Sequence, residues 1–166
     1  MTRKGQPRAH THRHQDRQIE EVRHDPYHSR EKLPEPTVCP HCKAVYQNGR
    51  WQWLEWPSSA SKRTCPACKR IHDRFPAGFI TLSGKFFADN RDDVLRLART
   101  EEQREQGEHP MQRIIDVRDE ADRTVITTTD LRIAHKIADA VHQAYQGALE
   151  VTFAPDEYRV RIRWSR

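Results

Sequence analysis

The sequence lacks any long apolar run. No segment approaches the roughly 20 apolar residues that a membrane-crossing helix needs, and the opening Met1-Thr2-Arg3-Lys4-Gly5 holds no apolar signal segment. The expectation is a cytoplasmic protein with no membrane partner. Apolar residues are scarce throughout: 35% of the chain is hydrophobic against 32% charged, and the mean hydropathy is −1.00. That supply excludes one core spanning all 166 residues and favours small modules stabilised by something besides burial. Catalytic signatures are missing too. The chain contains no G-x-S-x-G, no phosphate-binding P-loop, no G-x-G-x-x-G and no H-E-x-x-H. Its scattered His and Asp residues have no spacing that would gather them into a site. It reads as a non-enzyme without a small-molecule substrate.

Cysteine is almost absent, and its few occurrences are ordered. The four cysteines stand as Cys39-Pro40-His41-Cys42 and Cys65-Pro66-Ala67-Cys68, with 22 residues between the pairs. In a reducing compartment such pairs favour metal over disulfides. Two C-x-x-C pairs across a short loop supply the four thiolates of a closed tetrahedral zinc site, with no position left for reactive water. Cys39, Cys42, Cys65 and Cys68 are therefore the expected zinc ligands, and the zinc is expected to be structural. His72, beyond Cys68, finds the coordination sphere already full.

Charge is unevenly spread. The net charge is +5, and residues 37–76 alone carry seven cations against two acids. Lys62 and Arg63 precede the second knuckle, and Lys69, Arg70 and Arg74 follow it. Cations on both sides of a knuckle form a compact surface for phosphate. Residues 1–36 have few apolar side chains and read as a disordered basic tail. Arg3, Lys4, Arg8 and Arg13 precede its first acid, and a short helix is expected near Asp16–Arg23. Its His10, His12 and His14 fit a polyanion-binding tail better than a metal site.

Trp51 and Trp53 are two apart, so on a strand they would share one face. They form either a small core under the metal or a platform for bases, and Trp56 is the best candidate for an exposed aromatic. Beyond the ribbon, residues 77–110 read as a short strand at 79–82 and a linking helix over 86–106, with a second start at Asn90. Residues 111–166 read as ββαββ: strands at 114–117 and 124–128, a helix capped by Asp130, and strands at 149–153 and 158–164. One helix covering a four-stranded antiparallel sheet is the expected arrangement. In the last strand Tyr158, Val160, Ile162 and Trp164 face one way, and Arg159, Arg161 and Arg163 the other. The arginine row is either a solvated, edge-protecting face or a surface for RNA.

The fold class is thus α+β: a basic tail (1–36), a four-cysteine zinc ribbon (37–76), a strand and linking helix (77–110) and a ββαββ domain (111–166). At Lys32-Leu33-Pro34-Glu35-Pro36-Thr37-Val38-Cys39-Pro40, Gly49-Arg50-Trp51 and Pro76-Ala77-Gly78-Phe79, the chain resembles a family of small bacterial zinc-ribbon proteins of unsettled function. Thr127-Thr128-Thr129-Asp130 and Ala144-Tyr145-Gln146-Gly147 extend the resemblance over about residues 20–166. Zinc pairs joined to a Thr-Thr-Asp strand–helix unit are also similar to the zinc-ribbon export adaptors of the large ribosomal subunit, which carry more cysteine pairs. That similarity implies the ribosome or ribosomal RNA as partner, with ribosomal proteins nearby. The expected function is a zinc-stapled, non-enzymatic RNA-binding protein docking there. The alternative is an adaptor whose basic ribbon meets an acidic partner protein.

Overall fold

The computed structural model describes residues 25–166. Arg3, Lys4, Arg8, Arg13 and the helix expected at Asp16–Arg23 lie outside the described residues. No helix among those described is long and apolar enough to cross a membrane.

The ribbon is a four-stranded sheet of very short strands: β1 (Thr37–Val38), β2 (Val45–Gln47), β3 (Arg50–Gln52) and β4 (Ser61–Lys62), in the order β3-β2-β1-β4. Asn48 and Gly49 close the β2–β3 hairpin, both with positive φ (53° and 76°), as a two-residue primed turn requires. The Glu35 carboxylate accepts from both of their backbone N–H groups at 2.9 and 3.0 Å. Helix α1 (Pro66–Asp73) follows β4, with Cys65 as its N-cap.

The rest of the chain builds a second sheet from β5 (Gly78–Ser83), β6 (Ile114–Glu120), β7 (Arg123–Thr128), β8 (Ala148–Phe153) and β9 (Val160–Ser165), in the order β6-β7-β5-β9-β8. Helices α2 (Lys85–Asp89), α3 (Arg91–Glu108) and α4 (Leu131–Tyr145) complete it. The sheet is not the four-stranded antiparallel ββαββ arrangement expected: it has five strands, and one pair is parallel. Residues 78–83, expected within a linking segment, form the central strand, antiparallel to β7 and parallel to β9. A lone strand would leave both rows of backbone N–H and C=O groups unpaired. Between β7 and β9 both rows are satisfied, and Ile80 and Leu82 reach the core. The second helix start expected at Asn90 within 86–106 is present, but Asn90 makes no side-chain cap; its side chain donates instead to the Phe86 carbonyl at 2.9 Å.

One face of this sheet carries the main core. Ile80, Leu82, Ile126, Ile162 and Trp164 meet Ile133, Ile137 and Val141 of α4, all fully buried. Trp164 donates its indole N–H to the Gln146 carbonyl at 2.6 Å, so its polar edge is satisfied inside. Asp130 caps α4, its carboxylate accepting from the Arg132 N–H at 2.7 Å. Where β5 passes under α4 the backbone is so close that a Cβ on Gly78 would collide with the Thr128 hydroxyl and the Ala134 methyl. Gly78→Ala is therefore expected to cost about 1–3 kcal/mol of folding free energy, read as a lower urea midpoint at unchanged slope. A variant as stable as the parent would show that this approach is not tight.

Candidate metal centre and basic faces

The four sulfurs of Cys39, Cys42, Cys65 and Cys68 lie within 4.8 Å of one another and form a group able to hold a metal ion. Cys42 Sγ and Cys65 Sγ are 3.7 Å apart. A tetrahedral ion with metal–sulfur bonds of about 2.3 Å spaces its sulfurs by about 3.8 Å, whereas a disulfide would bring them to about 2.05 Å. Each knuckle is held by its own backbone. In the first, Cys39 N–H donates to the Ala44 carbonyl at 2.8 Å and Lys43 N–H to the Cys39 carbonyl at 2.9 Å, with Lys43 in the left-handed region at φ 69°. In the second, Cys65 caps α1 with its sulfur, which accepts from Cys68 N–H at 3.4 Å, and Pro66 opens the helix. Both thiolates of that pair thus sit in the favourable field of a helix N-terminus.

A cation from outside the ribbon completes the centre. Arg113, in the approach to β6, is only 8% exposed. Its guanidinium reaches Cys42 Sγ at 3.2 Å, and Cys65 Sγ and Cys68 Sγ at 3.5 Å each. The loop that delivers it is pinned. Arg113 Nε donates to the Pro110 carbonyl at 2.7 Å, its backbone N–H to the Thr129 hydroxyl at 2.9 Å, and that hydroxyl to the Met111 carbonyl at 2.6 Å. The Thr-Thr-Asp run thereby has a physical role: Thr129 holds the Arg113 loop, and Asp130 starts α4.

The electrostatics show how much positive charge the site demands. The hydrogen bond shared with Cys65 pulls the Cys42 thiol down to about 4, with Arg113 assisting. The same bond, then burial, pushes Cys65 up. Burial pushes Cys68 up against the opposing pull of Arg113. Burial works against the Arg113 charge, but the bond to Cys68 and the fields of the three sulfurs outweigh it and hold the guanidinium protonated. Without a metal ion the sulfurs must share protons; a divalent cation replaces those protons and allows four thiolates in one place.

The cations expected beside the knuckles do not form one surface. Lys62, Arg63, Lys69 and Arg74 are exposed and make no ion pair among the described residues. Arg63 and Lys69 line a cleft beside residues 25–33, whereas Arg74 lines a separate groove over the second sheet. Arg70 is a correction. It is 1% exposed, pairs with Asp25 at 2.6 Å and donates to the Phe75 carbonyl at 2.9 Å. Its guanidinium lies 4.3 Å from the Tyr27 ring centroid. The polar spacing of α1 gives no sign that this residue turns inward, and its partners Asp25 and Tyr27 belong to the stretch expected to be tail. The tryptophans also part company. Trp51 packs on the cysteine cluster and, edge-on, against Tyr46 at 5.5 Å. Trp53 lies beyond the end of β3 and donates to the Gln106 carbonyl of α3 at 2.7 Å. They share no platform. Trp56 is exposed, as expected, at 41%.

On β9 the alternation holds from Val160 onward: Val160, Ile162 and Trp164 are buried, and Arg161 and Arg163 are exposed, whereas Tyr158 and Arg159, expected in the strand, precede it and are both partly buried. The edge-protection reading does not survive, because β8 and not β9 is the sheet edge. Arg159 pairs with Glu157 at 3.0 Å. Arg161 and Arg163 have no ion pair among the described residues, although Glu150 stands opposite Arg163 on β8.

Arg113→Gln, which keeps a donor but loses the charge, is expected to weaken metal retention about 10- to 100-fold. Competition with a chromophoric chelator at neutral pH measures it. Unchanged retention would reduce Arg113 to a packing residue.

Comparison of the whole chain finds no matching family model, curated protein or solved structure.

Proposed function

We propose that the protein is a zinc-stapled RNA-binding protein that docks on the ribosome or on ribosomal RNA in the cytoplasm and catalyses no reaction. The all-sulfur donor set supports zinc, since four thiolates in a closed tetrahedral group suit it and leave no site for substrate. Cys39, Cys42, Cys65 and Cys68 would hold the ion, with Arg113 offsetting the negative charge that four thiolates leave on it.

The observation that carries the RNA reading is how the charges segregate. Cations of α3, β6 and β7 are neutralised locally: Arg91 by Asp119, Arg96 by Asp93, Arg99 by Glu102, Arg104 by Glu101, Arg118 by Asp116 and Arg123 by Glu120. Lys62, Arg63, Lys69 and Arg74 of the ribbon and Arg161 and Arg163 of β9 have no such partner among the described residues. Exposed positive charge without internal neutralisation is what a polyphosphate displaces counterions to reach. In this reading Arg159 supports the row, and Arg70 holds α1 in place.

Three measurements test the reading. Elemental analysis of purified protein is expected to return about one zinc per chain; a value far below that, or a disulfide in place of the metal, removes the zinc. Co-sedimentation with ribosomes is expected to be lost after nuclease treatment. Replacing Lys62, Arg63 and Lys69 by Gln is expected to lower the log–log salt slope of RNA binding by about 2, at ~0.7 per lost contact to a single strand. Binding that survives nuclease would instead favour an acidic protein partner.

A further inference from the structure

We propose that the open face of the second sheet seats a single-stranded segment of RNA, with a base stacked at Phe79 and its neighbouring phosphates on Arg161 and Arg163. This rests on the RNA reading above and names the surface and the form of RNA it takes.

The register places these residues together. Across the sheet, Asp116, Thr127, Phe79, Arg161 and Thr152 stand in one row; Arg118, Val125, Thr81, Arg163 and Glu150 stand in the next. Partners in register point to the same side, and this side is the one away from α4. Its centre is therefore flat and slightly apolar, formed by Phe79, Thr81, Val125 and Thr127. Arg161 lies 4.8 Å from the centroid of the Phe79 ring, and Arg159 lies 5.7 Å from it. An aromatic ring joined to guanidinium planes, partly open to solvent, is a shelf on which any base can stack. Phe75 is 45% exposed and borders the shelf, with the Arg159 guanidinium 5.7 Å from its ring. The result is a groove of about 840 Å³ whose lining includes Arg74, Phe79, Thr81, Arg161 and Arg163 and, along its β6 side, Asp116 and Glu120.

Charge sets the path through the groove. Acids occupy the two outer strands: Asp116 and Glu120 on β6, and Glu150 on β8. Arg118 and Arg123 are engaged by Asp116 at 3.6 Å and Glu120 at 2.6 Å. Among the described residues that line this groove, the cations without an ion pair are Arg161 and Arg163 of β9 and Arg74 at the end of α1. Phosphates are attracted along β5 and β9 and repelled at both margins. The outer strands are four strand spacings apart, about 19 Å. A double helix laid here would carry a phosphate rail over the acids and keep its bases away from Phe79. A single strand runs down the middle with its bases turned to the sheet. Arg161 and Arg163, two residues apart on a strand, are separated by about 6.6 Å along it, which a single nucleotide step can span.

The test uses the full metal-loaded chain and a fluorescein-labelled RNA of mixed sequence, about a dozen nucleotides long, single-stranded or annealed to its complement, read by anisotropy. The single strand is expected to bind at least tenfold more tightly than the duplex. Phe79→Leu keeps an apolar side chain but removes the flat ring, and is expected to weaken single-strand binding roughly 5- to 100-fold. Phe79→Tyr is expected to retain it. Arg161→Gln with Arg163→Gln is expected to lower the salt slope by about 1.4. Thermal melts confirm that each variant is folded; should Phe79→Leu not fold, the paired arginine variant decides. If the sheet variants bind like the parent while the Lys62, Arg63 and Lys69 variant does not, this inference is overturned and the RNA reading stands. Duplex bound as tightly as single strand also overturns it. If no RNA binds even at low salt, both fall. An acidic polyglutamate peptide that binds instead, with the same loss in the sheet variants, overturns it too and assigns the face to a protein.

Discussion

Four cysteine sulfurs gathered within 4.8 Å cannot all be ionised unless positive charge is placed among them, and much of the architecture meets that demand. Two backbone knuckles turn the sulfurs inward. The N-terminus of α1 adds its field. A guanidinium from the approach to β6 crosses from the second sheet to touch three of the four sulfurs. The ribbon is thus joined electrostatically to the larger unit, and the sulfur cluster bears on how the two parts meet. The strands of the ribbon are two or three residues long, too short to hold a sheet together by pairing alone. The sulfur cluster and the contacts of Arg113 supply what the strands cannot.

Burial sorts the arginines into two kinds. Arg70 and Arg113 are enclosed and carry structure: one bridges Asp25, the Phe75 carbonyl and the face of Tyr27, and the other bridges the sulfurs. Arg161 and Arg163 stay outside on a sheet whose other face is the core. Their exposure follows from the two-residue period of β9, because the residues alternating with them, Val160, Ile162 and Trp164, are the ones that face the core under α4. A partly exposed aromatic at Phe79 on the central strand, on the same face as those arginines, is a consequence of register. Neither β5 nor β9 alone would bring them together.

Part of this was legible directly. The C-x-x-C pairs name the ligand set because thiolates at that spacing have few other uses. The Asp130 cap, the helical spacing of Leu131 to Tyr145 and the alternation of β9 are local rules, each decided within a few residues. The exposure of Trp56 belongs with them, since the segment around it holds little that could bury it. A second helix start at Asn90 was legible too, although the side chain does not make the cap that suggested it. These features depend on neighbours in the chain, so the chain reports them.

The position of β5 was not legible, since a six-residue strand at the start of a long segment looks the same whether it is a linker or the middle of a sheet. Only the pairing edges of β7 and β9, far along the chain, decide that. Nor did the sequence distinguish Arg70 from Lys69, or Arg113 from the paired arginines of β6 and β7, because a guanidinium's role depends on which carboxylates, sulfurs and rings surround it after folding. The sequence by itself determined which four atoms can hold a metal ion and which residues alternate on the last strand. The tertiary structure decided which cations are enclosed, which stay outside, and that those of β9 share a face with Phe79. The physical reason is range: ligand spacing and strand period act over a few residues, whereas burial and register depend on segments far apart in the chain.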